Sequence, residues 1–432
     1  MRSNLRGIAL LVVASAAVAA QDQLPPEVLL LAHFKEKIRE ALSQVPNYTC
    51  LETIQRSVRD RHKITFAPQD TVLLEISNVG NKELLAWPGA QRFEDADLTS
   101  FASNGMMCSG IFALYAAQVF LSNSTTMKYH GKEEIRGFPA ARFDYQVASV
   151  WSGFQIQANG RAATVGMTGS FWIDPGSLEL LRMDVNADGI PPELGVERSR
   201  TVIDYARMQI GDSGVLLPQE AHLLMTLVDG EARQNDIEFS HCHEYRTESS
   251  IRFDMPDTSA PAAPPAIRQV NLPAGLTVTI ALDAAIDSNT AHVGDLLRGH
   301  VTNAVRQKGK AIVIPKDATV TGRVRGLEHL SPPLSGFDLT IEFEEVTWDH
   351  ARAEFYGEIL PTELAQVDNP FISMGGEMPA LSINREGARG IRAPQIPGTG
   401  VFHMAGRQFR IAPGFRMNWR TREPNQQRKK SR

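Results

Sequence analysis

The stretch FWIDPGSLELLRMDV, Phe171 to Val185, decides how the first half of the chain folds. Two runs with strand character flank Asp174-Pro175-Gly176. Proline presets the first dihedral of a tight turn and glycine accepts a positive φ, so the two runs read as strands joined back to back. Leu181, Met183 and Val185 recur at every second position, which places them on one face of the returning strand.

Working outward, the same pattern repeats in YTCLETIQRSV, TVLLEISNV, KELLAWPG and GFPAARFDYQV, each broken by Gly, Asn or Pro. Before them, Val28, Leu31, Phe34, Ile38, Ala41 and Leu42 recur at three- and four-residue spacing behind Pro25 and Pro26, which predicts an amphipathic helix. SGIFALYAAQVFLS predicts a second helix. The fold class expected is mainly β with a few helices (α+β), its first unit a curved antiparallel sheet or incomplete barrel with a packed helix. The residues expected on the apolar face of that sheet, candidates for lining any cavity it encloses, are Val72, Leu74, Ile76, Leu85, Trp87, Leu181, Met183, Val185, Leu223 and Met225.

The helix leading into YTCLETIQR, the FWIDPGSLELLRMDV hairpin, VIDYARMQIGDSGVLLPQEAHLLMTLVDG and the closing IEFSHCHEYR together resemble the outer-membrane lipoprotein-sorting (LolA-like) superfamily in element order. KELLAWPG with GSFWIDP is similar to a group of secreted relatives of that superfamily. The resemblance spans about residues 26–254. It implies an incomplete barrel whose apolar concave face holds acyl chains, and it carries over fold and ligand class without catalytic residues.

Compartment follows from the N-terminus. Arg2 and Arg6 precede an apolar run from Ile8 to Val18, with Val18-Ala19-Ala20 as a small-residue cleavage site, so 1–20 reads as a secretory signal peptide. A periplasmic or secreted protein is expected, peripheral to a membrane at most. A net charge of -5 argues against a nucleic-acid partner. The 432 residues, at roughly 100–200 per domain, suggest two or three domains.

The break falls at a stretch rich in proline and small residues, read as a linker over 255–271 after a first domain over 21–254. Beyond it, LPAGLTVTIALDAAIDS, VIPKDATVTGRV and a final GFRMNWRT read as strands of a small β-barrel over 272–422. These residues resemble the barrel of conjugal-transfer and type IV secretion scaffold proteins. Two features depart from that family: an N-terminal inner-membrane anchor is absent, and Thr362 to Gly400 is rich in Gly and Pro where a pore-forming member inserts an apolar helix pair. A docking module for an envelope protein partner is therefore expected in place of a channel. Residues 423–432 read as a basic disordered tail.

IEFSHCHEYR, Ile237 to Arg246, raises the question of a metal. Strict alternation puts Ile237, Phe239, His241, His243 and Tyr245 on one face and Cys242 on the other, leaving the histidines without a third ligand. DVNADG, Asp184 to Gly189, opens like a calcium loop, yet position twelve is Gly195 and Pro191 and Pro192 interrupt it; a polar turn is the expectation. No metal and no cofactor are expected. Cys50, Cys108 and Cys242 make an odd count in an oxidising compartment. The preferred bridge joins Cys50 on the first strand to Cys242 on the last, with Cys108 left as a thiol. No nucleophile elbow, zinc-protease pair, P-loop or dinucleotide fingerprint occurs, so no catalytic residue is assigned. The function expected is non-enzymatic ligand carriage in the first unit with docking by the second; the alternative is a structural or assembly scaffold of the envelope or a secretion apparatus.

Overall fold

The computed structural model describes residues 24–79, 82–90, 93, 101, 114–158, 161–245, 267–307, 311–330, 335–360, 372–374, 381–383 and 398–423. The expected leader at 1–20, Cys108, residues 255–266 of the expected linker and the tail beyond 423 lie outside them.

The first half contains helices α1 (Pro26–Ser43) and α2 (Leu114–Phe120). Its strands are β1 (Tyr48–Arg59), β2 (Ala67–Val79), β3 (Lys82–Ala86), β4 (Thr126–Ile135), β5 (Phe138–Val147), β6 (Gln155–Ala158), β7 (Arg161–Thr164), β8 (Gly166–Ile173), β9 (Leu180–Asp188), β10 (Val196–Ile210), β11 (Ser213–Leu227) and β12 (Ala232–Glu244). Ten of these form one antiparallel sheet in the order β3-β2-β1-β12-β11-β10-β9-β8-β5-β4, with β6 and β7 as a separate hairpin. The sheet curls into a half-barrel. Its first strand pairs with its last, so the chain closes on itself at the β1–β12 seam.

The hairpin that set the expectation is β8 and β9. Asp174 builds its turn: its carboxylate accepts from Gly176 N at 2.8 Å and from Ser177 Oγ at 2.8 Å, and its carbonyl accepts from Leu178 N at 2.8 Å. The residue with positive φ is Leu178, at 57°, and not Gly176 as the sequence suggests. Gly169 is needed for another reason. A Cβ there would lie 1.8 Å from the Asp184 carbonyl oxygen, and Tyr145 on β5 covers the vacant space and donates its hydroxyl to that oxygen at 3.1 Å. The expected polar turn at DVNADG is instead the end of β9, with the turn at Gly189 (φ 72°).

In the second half lie β13 (Arg268–Val270), β14 (Thr277–Leu282), β15 (Ile286–Asp287), β16 (Leu296–Val301), β17 (Val305–Gln307), β18 (Ala311–Ile314), β19 (Thr319–Leu330), β20 (Gly336–Trp348), β21 (Ala351–Glu354), β22 (Gly357–Ile359), β23 (Ile372–Met374), β24 (Leu381–Ile383), β25 (Thr399–Ala405), β26 (Phe409–Ile411) and β27 (Arg416–Thr421). The main ladder runs β13-β21-β20-β19-β16-β14-β27-β22, with β25 also on β20. It rolls up around Trp419, Phe343, Phe355, Phe402 and Phe415, all fully buried. Gly400 of β25 meets β22 without a side chain of its own; a Cβ there would sit 2.9 Å from Ile359 Cβ. β13 falls inside the stretch expected to be linker, because its backbone finds parallel partners in β21.

The two sheets share no strand but touch closely. β3 covers only the Glu75–Val79 part of the β2 edge, and Val293 takes the next exposed peptides: Leu73 N donates to Val293 O at 2.8 Å and Val293 N to Thr71 O at 2.9 Å. Such capping leaves less of the edge open to a foreign strand.

Candidate functional site

The concave face of the first sheet is built by alternation. On β1 the inward residues are Tyr48, Cys50, Glu52, Ile54 and Arg56, all buried. Across from them Val72, Leu74 and Ile76 of β2 and Leu85 of β3 are buried too. Met183, Val185 and Leu223 continue the surface on β9 and β11, and Met225 packs against it half-buried. Leu181 occupies the irregularity where Trp172 pairs with Arg182 but Ile173 pairs with Leu180, and is only half-buried. Trp87 follows β3 and turns to the other half of the chain: Arg325 lies over its ring at 4.7 Å, and Phe101 meets it edge-on at 5.0 Å. Eight of the expected residues thus lie on the first sheet's inner face, Leu181 sits at the β8–β9 irregularity, and Trp87 belongs to the seam between the halves.

What covers the face is the chain's own aromatic cluster. Phe34 of α1 stacks on Phe171 at 5.6 Å, Phe120 of α2 meets Phe34 at 5.2 Å and Phe171 at 5.0 Å, and Phe143 stacks on Phe171 at 5.4 Å. α1 lies on it through one apolar row: Phe34 and Ile38 are buried, Leu30, Leu31 and Leu42 pack half-buried, and Lys37 Nζ donates to Ser177 O at 2.5 Å.

Sequence reasoning passed over the charged groups on this face. Glu52 sits between Leu74 and Phe239 in the ladder, and its Oε2 is shielded from solvent without a hydrogen-bond partner. Burial pushes its carboxyl well above the usual range, and Glu83 adds to the effect. Arg56 pairs with Asp70 directly opposite, through Nε at 2.6 Å, with both side chains almost fully buried. The signal was present in YTCLETIQR, where Glu52 and Arg56 fall on the parity of Cys50 and Ile54; reading charge as solvent-facing concealed it.

A disulfide joins Cys50 and Cys242, whose Cα atoms are 4.1 Å apart. It depends on a bulge. Thr49 pairs with His243 and Leu51 with Ser240, so two residues of β12 oppose Cys50, and His241 takes φ 51°. The extra residue reverses the alternation expected for IEFSHCHEYR: Ile237 and Phe239 stay buried, His241 and His243 face solvent, and Cys242 packs inward.

On the convex face Asp204, Glu220 and His222 come close enough to hold a cation, but their valences are already used. Arg182 binds Asp204 through two nitrogens at 2.7 and 2.8 Å, Arg136 reaches Asp204 at 3.1 Å and Glu220 at 2.9 Å, and His222 pairs with Asp236 at 2.7 Å. Asp184 is likewise taken by Arg200 at 2.8 Å. Ser170, Asp144 and His130 form another polar group in which Ser170 Oγ donates to Asp144 at 2.6 Å and His130 binds the same carboxylate at 2.8 Å. The serine thus donates to a carboxylate that is only a weak base, and the histidine lies beyond that carboxylate and not on the serine, so no Ser–His pair is formed here for nucleophile activation.

No protein-family model matches the chain, and no curated protein matches it. Among solved structures it is similar to a DUF1329 family protein from Desulfovibrio piger, at 11% identity over 52% of this chain and 95% of that one, with a TM-score of 0.26. It is also similar to an outer membrane lipoprotein-sorting protein domain from Vibrio parahaemolyticus, at 12% identity over 53% of this chain and 96% of that one, with a TM-score of 0.25. No helix among the described residues is long and apolar enough to cross a membrane.

Proposed function

We propose that the protein is a non-enzymatic envelope protein, periplasmic or secreted, that binds a lipid or other acyl-chain ligand on the concave face of its first sheet. The observation that carries this reading is that α1 covers the face through a single row of apolar side chains. Burial of Phe34 and Ile38 is worth roughly 3–6 kcal/mol, and the half-buried Leu30, Leu31 and Leu42 add to it, so an acyl chain gaining about 0.8 kcal/mol per methylene replaces the helix only when it buries more than roughly eight methylenes. A ligand can therefore displace the helix while Phe171, Met183 and Val185 remain as its new wall. The mechanism is exchange of one apolar cover for another, without bond making.

The second half serves in this reading as the docking module for an envelope partner. An open groove of 480 Å³ beside β13, lined by Val270, Ile312, Val313 and Trp348 together with the polar Arg268, Gln269 and Asp349, supports this reading.

A fluorescent fatty acid titrated into the full chain tests the carrier reading. Wild type is expected to bind it, and Phe34→Ala to bind it more tightly while remaining folded. Absence of binding in both proteins would overturn carriage. The second reading, a scaffold without ligand, is favoured by the completeness of the aromatic fill around Phe171; native mass spectrometry of protein taken from an envelope fraction separates bound lipid from a bound protein partner.

A further inference from the structure

Several loops meet along one rim of the half-barrel. The β1–β2 connection abuts the β11–β12 turn, where a Cβ on Gly230 would lie 3.3 Å from Arg61 Cβ. That turn is tied to the start of β10 by Val228 N donating to Gly195 O at 3.0 Å. Next along the rim come the β6–β7 hairpin and the single helical turn Ser149–Trp151, which follows β5 directly.

Three of these tips carry large apolar side chains in solvent: Ile64 on the β1–β2 connection is 93% exposed, Val228 on the β11–β12 turn 67%, and Val150 and Trp151 on the single helical turn 79% and 65%. One exposed apolar residue is ordinary, but four on one rim call for an explanation. α1 adds to them. Its Lys37 reaches Ser177 in the β8–β9 turn at the opposite end of the sheet, so its first turns, with Val28 and Leu29 exposed, point toward the rim.

The charge beside Ile64 indicates the partner. Arg61, His62 and Lys63 are all exposed next to it. Asp60 and Asp229 are exposed beside them, accepting from His62 N at 2.9 Å and Glu231 N at 3.0 Å, while Glu231 pairs with Arg233 at 2.7 Å; Arg59, Arg61 and Lys63 against Asp60 still leave the β1–β2 connection net positive. The exposed Asp188, Glu193 and Glu197 stand at the β9–β10 end of the rim, so the positive charge is local to the β1–β2 connection. Separate apolar tips, a tryptophan among them, with cations at their flank suit a headgroup layer, into which each tip inserts on its own; a protein partner would need one continuous patch.

We propose that this rim docks the cargo-free protein on an anionic lipid surface. The inference goes beyond ligand carriage, because adsorption is read without any ligand in the concave face. Full-length protein is mixed with vesicles of phosphatidylglycerol and phosphatidylethanolamine, or of phosphatidylcholine alone, and sedimented. Adsorption to the anionic vesicles is expected, with a blue shift of tryptophan emission that Trp151→Phe removes. Ile64→Ser combined with Trp151→Ser should weaken adsorption at least tenfold, as should Arg61→Glu with Lys63→Glu, each with an unchanged melting temperature. Failure to sediment, equal binding by the variants, or equal binding to neutral vesicles would overturn the proposal. So would Ile64-dependent dimerisation without vesicles, which would assign the rim to a second copy of the chain. Fatty-acid binding measured in parallel fails or succeeds independently.

Discussion

Val72 and Val293 form a parallel bridge that joins the first sheet to the second, although 220 positions separate them in the chain. The bridge sits in a small, fully used seam. Gly294 follows Val293 with φ 105° and donates its N–H to Val324 O at 2.8 Å, while Arg323 Nη1 donates to Pro88 O at 2.8 Å and to Gly294 O at 3.2 Å. Burial opposes the charge on Arg323, and Glu344 offsets part of that cost. Two halves that sequence composition separates are thus held as neighbours by backbone pairing and one buried guanidinium.

Gly294→Ala should damage this seam more than any surface change. Its Cβ would meet Leu73 O at 2.6 Å and the Trp87 ring at 3.0 Å, in a backbone conformation that side chains rarely adopt. A loss of about 2–4 kcal/mol is expected in denaturant unfolding. Arg325→Ala, which removes the cation over Trp87 and the ion-pair partner 3.3 Å from the buried Glu342 carboxylate, should cost about 3–5 kcal/mol. Unchanged stability in both variants would show that the halves unfold independently of the seam.

The Cys50–Cys242 bridge closes a loop across 192 positions of sequence. Chain entropy puts its contribution near 5 kcal/mol, within the usual range of about 2–5 kcal/mol for a native bridge. Cys50→Ser with Cys242→Ser should lower unfolding free energy by that order, and peptide mapping without reductant should recover the pair joined. A bridge mapped to Cys108 would contradict the β1–β12 register.

Glu52 should give the protein a distinctive pH dependence. Its carboxyl titrates higher in the folded chain than in the unfolded one, so the native state keeps a proton that the unfolded state releases. The stability this contributes is complete below the ordinary carboxyl value of 4.5 and declines as pH rises toward the folded value. Glu52→Gln is neutral throughout, so the stability of wild type relative to the variant should fall as pH is raised above the ordinary carboxyl value of 4.5. A flat difference would mean that Glu52 is ionised in the fold.

Removal of divalent cations should leave the melting temperature unchanged. Asp204 and Glu220 are already neutralised by Arg182 and Arg136, and His222 is engaged by Asp236. Exposed His241 and His243 offer two ligands where a stable zinc site requires four. A drop of several degrees with chelator, restored by zinc, would establish a site on the convex face.

Local pattern carried much of this fold. Alternation and turn chemistry in FWIDPGSLELLRMDV, YTCLETIQRSV and TVLLEISNV placed β8, β9, β1 and β2, and three- and four-residue spacing placed α1, because each of these signals depends only on neighbours in sequence. The parity of Val72, Leu74, Ile76, Met183 and Val185 followed for the same reason. Tertiary structure decided what those faces meet. A bulge at His241 reversed the parity of Cys242, since one extra residue moves every later side chain to the other face. Trp87 left the first sheet's core for Arg325, and Arg268–Val270 became a strand in what composition marks as linker, because both found partners more than 80 positions away. Glu52 and Arg56 lie buried although their chemistry favours water; their strand fixes the side they face, and only the packed sheet shows that the side is closed.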